Sequence, residues 1–464
     1  MSGRNRHVIT KKTRPLTIHH SRSWISENRA VSYDVVIIGA GAAGLAAAAE
    51  MARAGRSALV LEARDRFGGR CWSLDVPGMA VPVELGAELI HGRPEATFSL
   101  LERAGAAAVD RTGSGWYVER GRLKRTGDIF DEIRKALRKT GVPRQDVSFD
   151  TFLNRELRHV SARGRAFARR RVEGYDAADP ARASARAIVE EWYGEDEATA
   201  ASHFRPLGGY GVLLECLAGT LQGSNVEMQL STVVHGVQWK RGHVEVQGIG
   251  SGKPFSATAR RAIITLPLGV LQQSPDAPGA VRFTPALDAK ARALGGLAPS
   301  PVIKVMMRFR TAFWETLDGG RYEDAAFLRT FDAPFPSFWT ALPVRTPLLV
   351  AWAGGPRAER LSGAAPRDVI RQATASLEAM FGRRARVEQR LEAAWFHDWQ
   401  TDPFARGAYS YVTVGGAGAR KALAAPLQDT LFFAGEASDF EGEHGTVAGA
   451  LRSGTRAARQ VLKA

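Results

Sequence analysis

Tyr33 to Arg70 reads YDVVIIGAGAAGLAAAAEMARAGRSALVLEARDRFGGR. Val35-Val36-Ile37-Ile38 is a short, continuous apolar run, the pattern of a strand buried on both faces of a parallel sheet. Gly39, Gly41 and Gly44 follow in G-x-G-x-x-G spacing. The first permits a tight turn, the second lets backbone approach a pyrophosphate, and the third lets helix pack on strand. A helix is expected from Ala42 to about Ala54, its N-terminus offering free N–H groups and a positive dipole end to an anion. Ala58 to Leu61 then reads as a second strand, with Glu62 at its end, where a carboxylate can take ribose hydroxyls. Strand, turn, helix, strand and terminal acid in register predict a dinucleotide site rather than an ordinary glycine-rich turn. An acid at this place argues against a 2′-phosphate, so NAD and FAD remain open.

The next residues separate them. Arg64 is followed by a second glycine turn, Gly68-Gly69-Arg70. Two fixed guanidinium groups, Arg64 and Arg70, suit a buried pyrophosphate. LEARDRFGGR resembles the LEAR-x-R-x-GGR signature of flavin amine oxidases, the superfamily of monoamine oxidases, polyamine oxidases and lysine-specific histone demethylases. The resemblance implies FAD.

It extends along the chain. Val83 to Gly92, VELGAELIHG, resembles ELGA-x-x-IHG of polyamine oxidases, whose Gly-Ala backbone faces the flavin and whose histidine lines the substrate channel. This implies cofactor contacts at Gly86, Ala87 and Glu88 and a cleft role for His91, although a lone histidine is more often structural. Val172 to Pro180 resembles a bacterial amine oxidase segment with no role to assign. Val234 falls where the family contacts adenine through backbone, and Thr265 to Leu271 resembles its T-x-P-LGVL turn. Pro301 to Phe309 reads as a strand on which Lys304 shares a face with Val302 and Met306. A lysine there needs a partner or a job, unless the strand is an edge and the lysine reaches water. The family holds a lysine here, hydrogen-bonded to a water beside flavin N5. Trp399 to Tyr411 resembles W-x-x-DP-aromatic-ARG-x-YSY, which places Tyr409 as one wall of an aromatic cage and Trp399 near flavin and substrate. Finally, Leu431 to Glu436 is a buried strand ending in Gly435-Glu436, and a last helix begins near Thr446 and Val447. The resemblance sets Glu436 against the ribityl–phosphate region. It points the helix N-terminus at the pyrimidine edge, where its dipole favours negative charge. Ala43, Gly69 and Thr446 complete the implied cofactor set.

The expected fold is α/β: a doubly wound, Rossmann-like FAD-binding domain from 32–93, 206–282 and 392–464, plus a mixed α+β substrate-binding domain from 94–205 and 283–391. The first substrate segment reads as helical. Residues 1–31 carry seven Lys/Arg against one acid and no hydrophobic signal core, the composition of a disordered basic tail. A cytoplasmic location is expected. Composition excludes other classes. No apolar run approaches membrane-spanning length, so no membrane anchor is expected. Two cysteines, Cys71 and Cys216, make neither a disulfide framework nor a zinc site; no metal is expected. The net charge of +15 could hold nucleic acid, but no recognition module accompanies it. The densest basic run, Arg163 to Arg171, is expected to be a solvated helix face.

The resemblance implies an oxidase of a small cationic amine. A hydride equivalent passes from the α-carbon to flavin N5, the imine hydrolyses, and oxygen reoxidises the flavin to give hydrogen peroxide. Monoamine oxidases tether FAD through a cysteine where this chain has Ala408, so FAD is expected to be noncovalent. Thr446, in place of a second cage tyrosine, and His91 favour a polyamine over a monoamine. Histone demethylation is disfavoured by the missing coiled-coil insertion. An L-amino-acid oxidase would need an arginine for the carboxylate, and Arg93 and Arg357 are the candidates by sequence. A non-catalytic flavin-binding or basic scaffold protein is the reading of another class. Oligomeric state stays open.

Overall fold

The computed structural model describes residues 32–125, 129–194 and 202–464; the basic tail, 1–31, lies outside the described residues. The opening unit folds as its pattern predicts. β1 (Ser32–Ile38) leads through the glycine turn into α1 (Ala42–Arg53), and β2 (Ala58–Leu61) returns parallel to β1. Strand Val226–Gln229 adds in parallel beyond β2, and Lys253–Ile264 pairs in parallel on the other side of β1. Leu431–Phe433 extends the parallel array through Ile264. Two antiparallel strands, Thr232–Lys240 and His243–Gly250, and the short Arg282–Thr284 complete an eight-stranded sheet.

Both faces of the sheet are covered, which is why its central strands are apolar throughout. α1 lies on one face and is buried along nearly its whole length. Its alanines let the last helix, Val447–Lys463, approach to backbone contact. A Cβ added at Gly454 would stand 2.1 Å from the Ala43 carbonyl oxygen.

A second, seven-stranded sheet contains the neighbouring pairs Leu391–Phe396, Val302–Phe309, Leu348–Gly354, Ser337–Thr340 and Ala325–Arg329, then Ser114–Glu119 and Arg122–Arg125. All its pairs are antiparallel except Ala325–Arg329 with Ser114–Glu119. The fold class is α/β as expected, but three local expectations are corrected. The segment after Pro94 is not simply helical: Ala108–Asp110, Ser114–Glu119 and Arg122–Arg125 are strands. Arg120 and Gly121, both at positive φ (49° and 74°), make the tight hairpin turn between the last two. The return to the first layer, expected at 392, comes later, because Leu391–Phe396 hydrogen-bonds to Val302–Phe309. The basic run lies on helix Ala162–Gly174, yet much of it is paired rather than solvated. Arg169 bonds Asp150 and Glu173, Arg170 bonds Glu173, and Arg163 reaches Glu119. No helix among the described residues is long and apolar enough to cross a membrane.

Candidate active site

The two sheets enclose a cavity of about 1430 Å³, larger than the roughly 300–1,000 Å³ of ordinary small-molecule pockets. Every residue expected at cofactor or substrate lines it except Gly44. Gly44 packs behind the turn, where a Cβ would fall 1.9 Å from the Gly39 carbonyl oxygen. Gly39 (φ +108°) and Gly435 (φ +128°) hold backbone conformations that side chains resist, and space stands open where a Gly435 Cβ would be.

These residues fit a flavin dinucleotide. α1 has no side-chain cap and no acid in its first turn, so its N-terminal N–H groups are available to an anion. Glu62 is buried and fixed: its carboxylate accepts from the Ala40 N–H (2.9 Å) and the Arg64 N–H (3.0 Å). Its remaining lone pairs suit hydroxyl donors. Val234 and Thr232 line the same end, and the Thr232 N–H donates to the Glu62 carbonyl. Arg64 and Arg70 are fixed as expected, but by carboxylates. Arg64 forks onto Asp402 (2.8 Å to each oxygen), which His397 also contacts at 2.8 Å. These donors hold Asp402 well below the usual carboxylate range. Arg70 contacts Glu436 (3.0 Å) and the Ala408 carbonyl. Glu436 also accepts from the Ser410 hydroxyl at 2.7 Å, so it ties the second glycine turn, through Arg70, to Ser410.

Lys304 is not an edge-strand lysine reaching water. Its strand lies between two others, and the side chain is 4% exposed. The ammonium donates to the Gly86 carbonyl (2.6 Å) and to Glu88 (3.1 Å). Glu88 in turn accepts from Arg205 (2.6 Å) and the Trp339 indole N–H (3.1 Å). Burial alone would raise the Glu88 carboxyl, but Lys304 and Arg205 outweigh it and bring it down to about 2. Gly86 itself must be glycine, since a Cβ would sit 1.7 Å from the Arg70 carbonyl oxygen. Trp399 is buried behind it and donates to the Leu85 carbonyl at 3.0 Å.

The Tyr409 hydroxyl donates to the Tyr175 carbonyl at 2.5 Å. Burial and nearby Asp176 push its phenol well above 10, so it stays neutral. The ring packs against Gly445, beside Thr446. Thr446 is the N-cap of the last helix: its hydroxyl accepts from the Gly449 N–H and donates to the Glu443 carbonyl. His91 meets His203 across two paired strands, Nδ1 to Nδ1 3.0 Å. Burial, then neighbouring Arg111 and Arg171, push His91 down to about 4, so the imidazole is neutral near pH 7. Neither sequence candidate for a carboxylate arginine is poised for that role. Arg357 donates to the Phe331 and Ala333 carbonyls, and Arg93, stacked on Phe98 and Phe204, does not line the cavity. Sequence reasoning missed Arg205, His203 and Arg329. Arg205 and His203 share a short strand, His203–Pro206, that carries no motif.

The comparisons agree with this geometry. Residues 42–462 match the family model described as flavin containing amine oxidoreductase. The human lysine-specific histone demethylase 2 is 27% identical over 458 residues, 92% of this chain and 53% of that protein. Rice (Oryza sativa subsp. japonica) polyamine oxidase 3 is 26% identical over 92% of this chain and 88% of its own. The chain spans about half the length of the human demethylase. Among solved structures, wild-type putrescine oxidase bound to putrescine superposes with a TM-score of 0.76 at 23% identity, covering 94% of this chain and all of that one. Cyclohexylamine oxidase from Brevibacterium oxydans gives 0.75 at 22%, covering 93% and 99%. The chain belongs to the flavin-containing amine oxidoreductases, and its cofactor is FAD.

Proposed function

We propose that this protein is an FAD-dependent oxidase that converts an amine to its imine and passes two electrons to oxygen as hydrogen peroxide. The observation that carries this is Lys304, a buried ammonium in the cavity wall. An ammonium has three donors; Gly86 and Glu88 engage two, leaving one for the cavity. FAD, when bound, supplies the two-electron chemistry. The chain's residues do the rest. Tyr409 and the Gly445–Thr446 turn form an apolar wall that orients the amine, and a desolvated cleft favours the neutral amine over the ammonium. The role proposed for Lys304 is to hold a proton donor at its free position.

A polyamine finds less support than Thr446 and His91 alone suggested. The Thr446 hydroxyl is engaged in the helix cap, and His91 is neutral and paired with His203. Neither offers charge to a second ammonium. A peroxide assay over polyamines, monoamines and amino acids tests the function. Peroxide equimolar with aldehyde on at least one amine is expected. No peroxide on any, from protein whose bound FAD dithionite reduces, would favour the scaffold reading.

FAD is proposed to be noncovalent. Ala408 offers no nucleophile, and burial pushes the nearby Cys71 thiol up to about 12, so it carries no thiolate. Acid precipitation should release all the flavin into the supernatant; flavin left in the pellet would contradict this.

A further inference from the structure

Four strands of the seven-stranded sheet bring residues far apart in sequence into one row. Lys304 pairs with Trp352, Trp352 with Ser337, and Ser337 with Arg329. Residues directly opposite one another in antiparallel strands share a face, and all four line the cavity. With strands about 4.8 Å apart, the Cα atoms of Lys304 and Arg329 stand on the order of 14 Å apart along the cavity wall. Between them lie the Trp352 ring and, on the adjacent position, Trp339, with ring centroids 5.7 Å apart. One end of the wall is therefore the proposed reacting end, the middle is aromatic, and the far end is a guanidinium.

That guanidinium is uncompensated. Among the described residues Arg329 has no hydrogen-bond or ion-pair partner; it stacks on Phe327, 4.7 Å from the ring centroid. Arg111 lies over the same ring at 3.5 Å. Burial and Arg171 push Arg329 down to about 10, and burial with Arg205 and Arg329 brings Arg111 to about 9. The charge that acts on Arg329 is the positive Arg171, and the carboxylate that acts on Arg111, Glu88, is already shared by Lys304 and Arg205. An ammonium placed here would be repelled, and an anion would be held by charge-assisted hydrogen bonds.

We propose that Arg329 binds the substrate's carboxylate, so that the amine oxidised near Lys304 belongs to an ω-amino acid, its methylene chain lying over Trp352. The proposal rests on the amine-oxidase reading. It separates the substrate from diamines, which would place a second ammonium against Arg329. It also separates it from α-amino acids, whose amine and carboxylate share one carbon and cannot span the row.

The test uses holoprotein and two readouts. The first is turnover of ε-aminocaproate against the diamine of equal length. The second is binding of caproate, which has no amine to oxidise, followed by the flavin's visible spectrum and by melting temperature. Wild-type protein should prefer the amino acid and bind caproate. Arg329→Ala should weaken caproate binding and lower the amino acid:diamine preference on the order of 10- to 100-fold, and Arg329→Glu should turn the preference toward the diamine. Arg329→Lys, which keeps the charge, should retain part of both and guards against a folding defect in the other two. Unmoved caproate binding and an unmoved preference ratio in Arg329→Ala would overturn the subsite while leaving amine oxidation intact. Arg329-dependent caproate binding with no amine oxidised would do the reverse.

Discussion

Lys304→Met is expected to slow flavin reduction or reoxidation by about 100-fold or more, the size of a lost proton-transfer group, while FAD stays bound. Methionine matches the length and apolar body of the lysine but removes all three donors. The fold should tolerate this, because Glu88 keeps Arg205 at 2.6 Å and the Trp339 indole at 3.1 Å. A merely structural lysine would give the opposite pattern, a lower melting temperature with unchanged chemistry. Rapid mixing separates the two half-reactions. Wild-type rates in both would remove Lys304 from the mechanism.

Glu88→Gln should have the largest effect on stability. The variant keeps the shape but leaves Lys304 and Arg205, 4% and 3% exposed, without their shared counter-charge. Removing one partner from a buried ionic group costs about 3–5 kcal/mol, which denaturant unfolding would read as a lower midpoint at constant slope. The pH dependence has a definite sign. The Glu88 carboxyl is depressed from 4.5 to about 2 on folding. Its contribution is therefore complete above about pH 4.5 and is lost as pH falls toward 2. Wild type and Glu88→Gln should thus differ most near neutrality and converge in acid. A constant gap down to the acid limit would mean the carboxylate is not the source. Glu88→Gln should also lower the rate of flavin chemistry through the position of Lys304, a consequence that Arg205 substitutions would share in part.

Much of the cofactor half was legible because it is local. β1, the glycine turn, α1 and β2 lie within one continuous stretch, where apolar period and glycine spacing state the geometry directly. Lys304 was legible for a different reason: a charge within an apolar strand is costly unless it is held, and the structure supplies the holder. Glu88 was named for the cofactor-contact segment it stands in, but its bracing of Lys304 and Arg205 was not legible. Its partner Arg205 sits 117 positions away, beyond any local pattern. The row from Lys304 to Arg329 was hidden for the same reason. Cross-strand register is set by packing between distant segments, and Arg329 alone reads as one arginine among many in a basic chain. Strand Leu391–Phe396 was assigned to the wrong layer because its apolar run fits either sheet.

An amine bound in this cavity should reduce the FAD held there. Anaerobic mixing of the purified, flavin-loaded protein with ε-aminocaproate and a panel of simple amines follows that reduction in one step. The flavin's visible band should bleach in a single turnover and return when oxygen is admitted, with equimolar hydrogen peroxide. A band that dithionite bleaches and no amine does would contradict it.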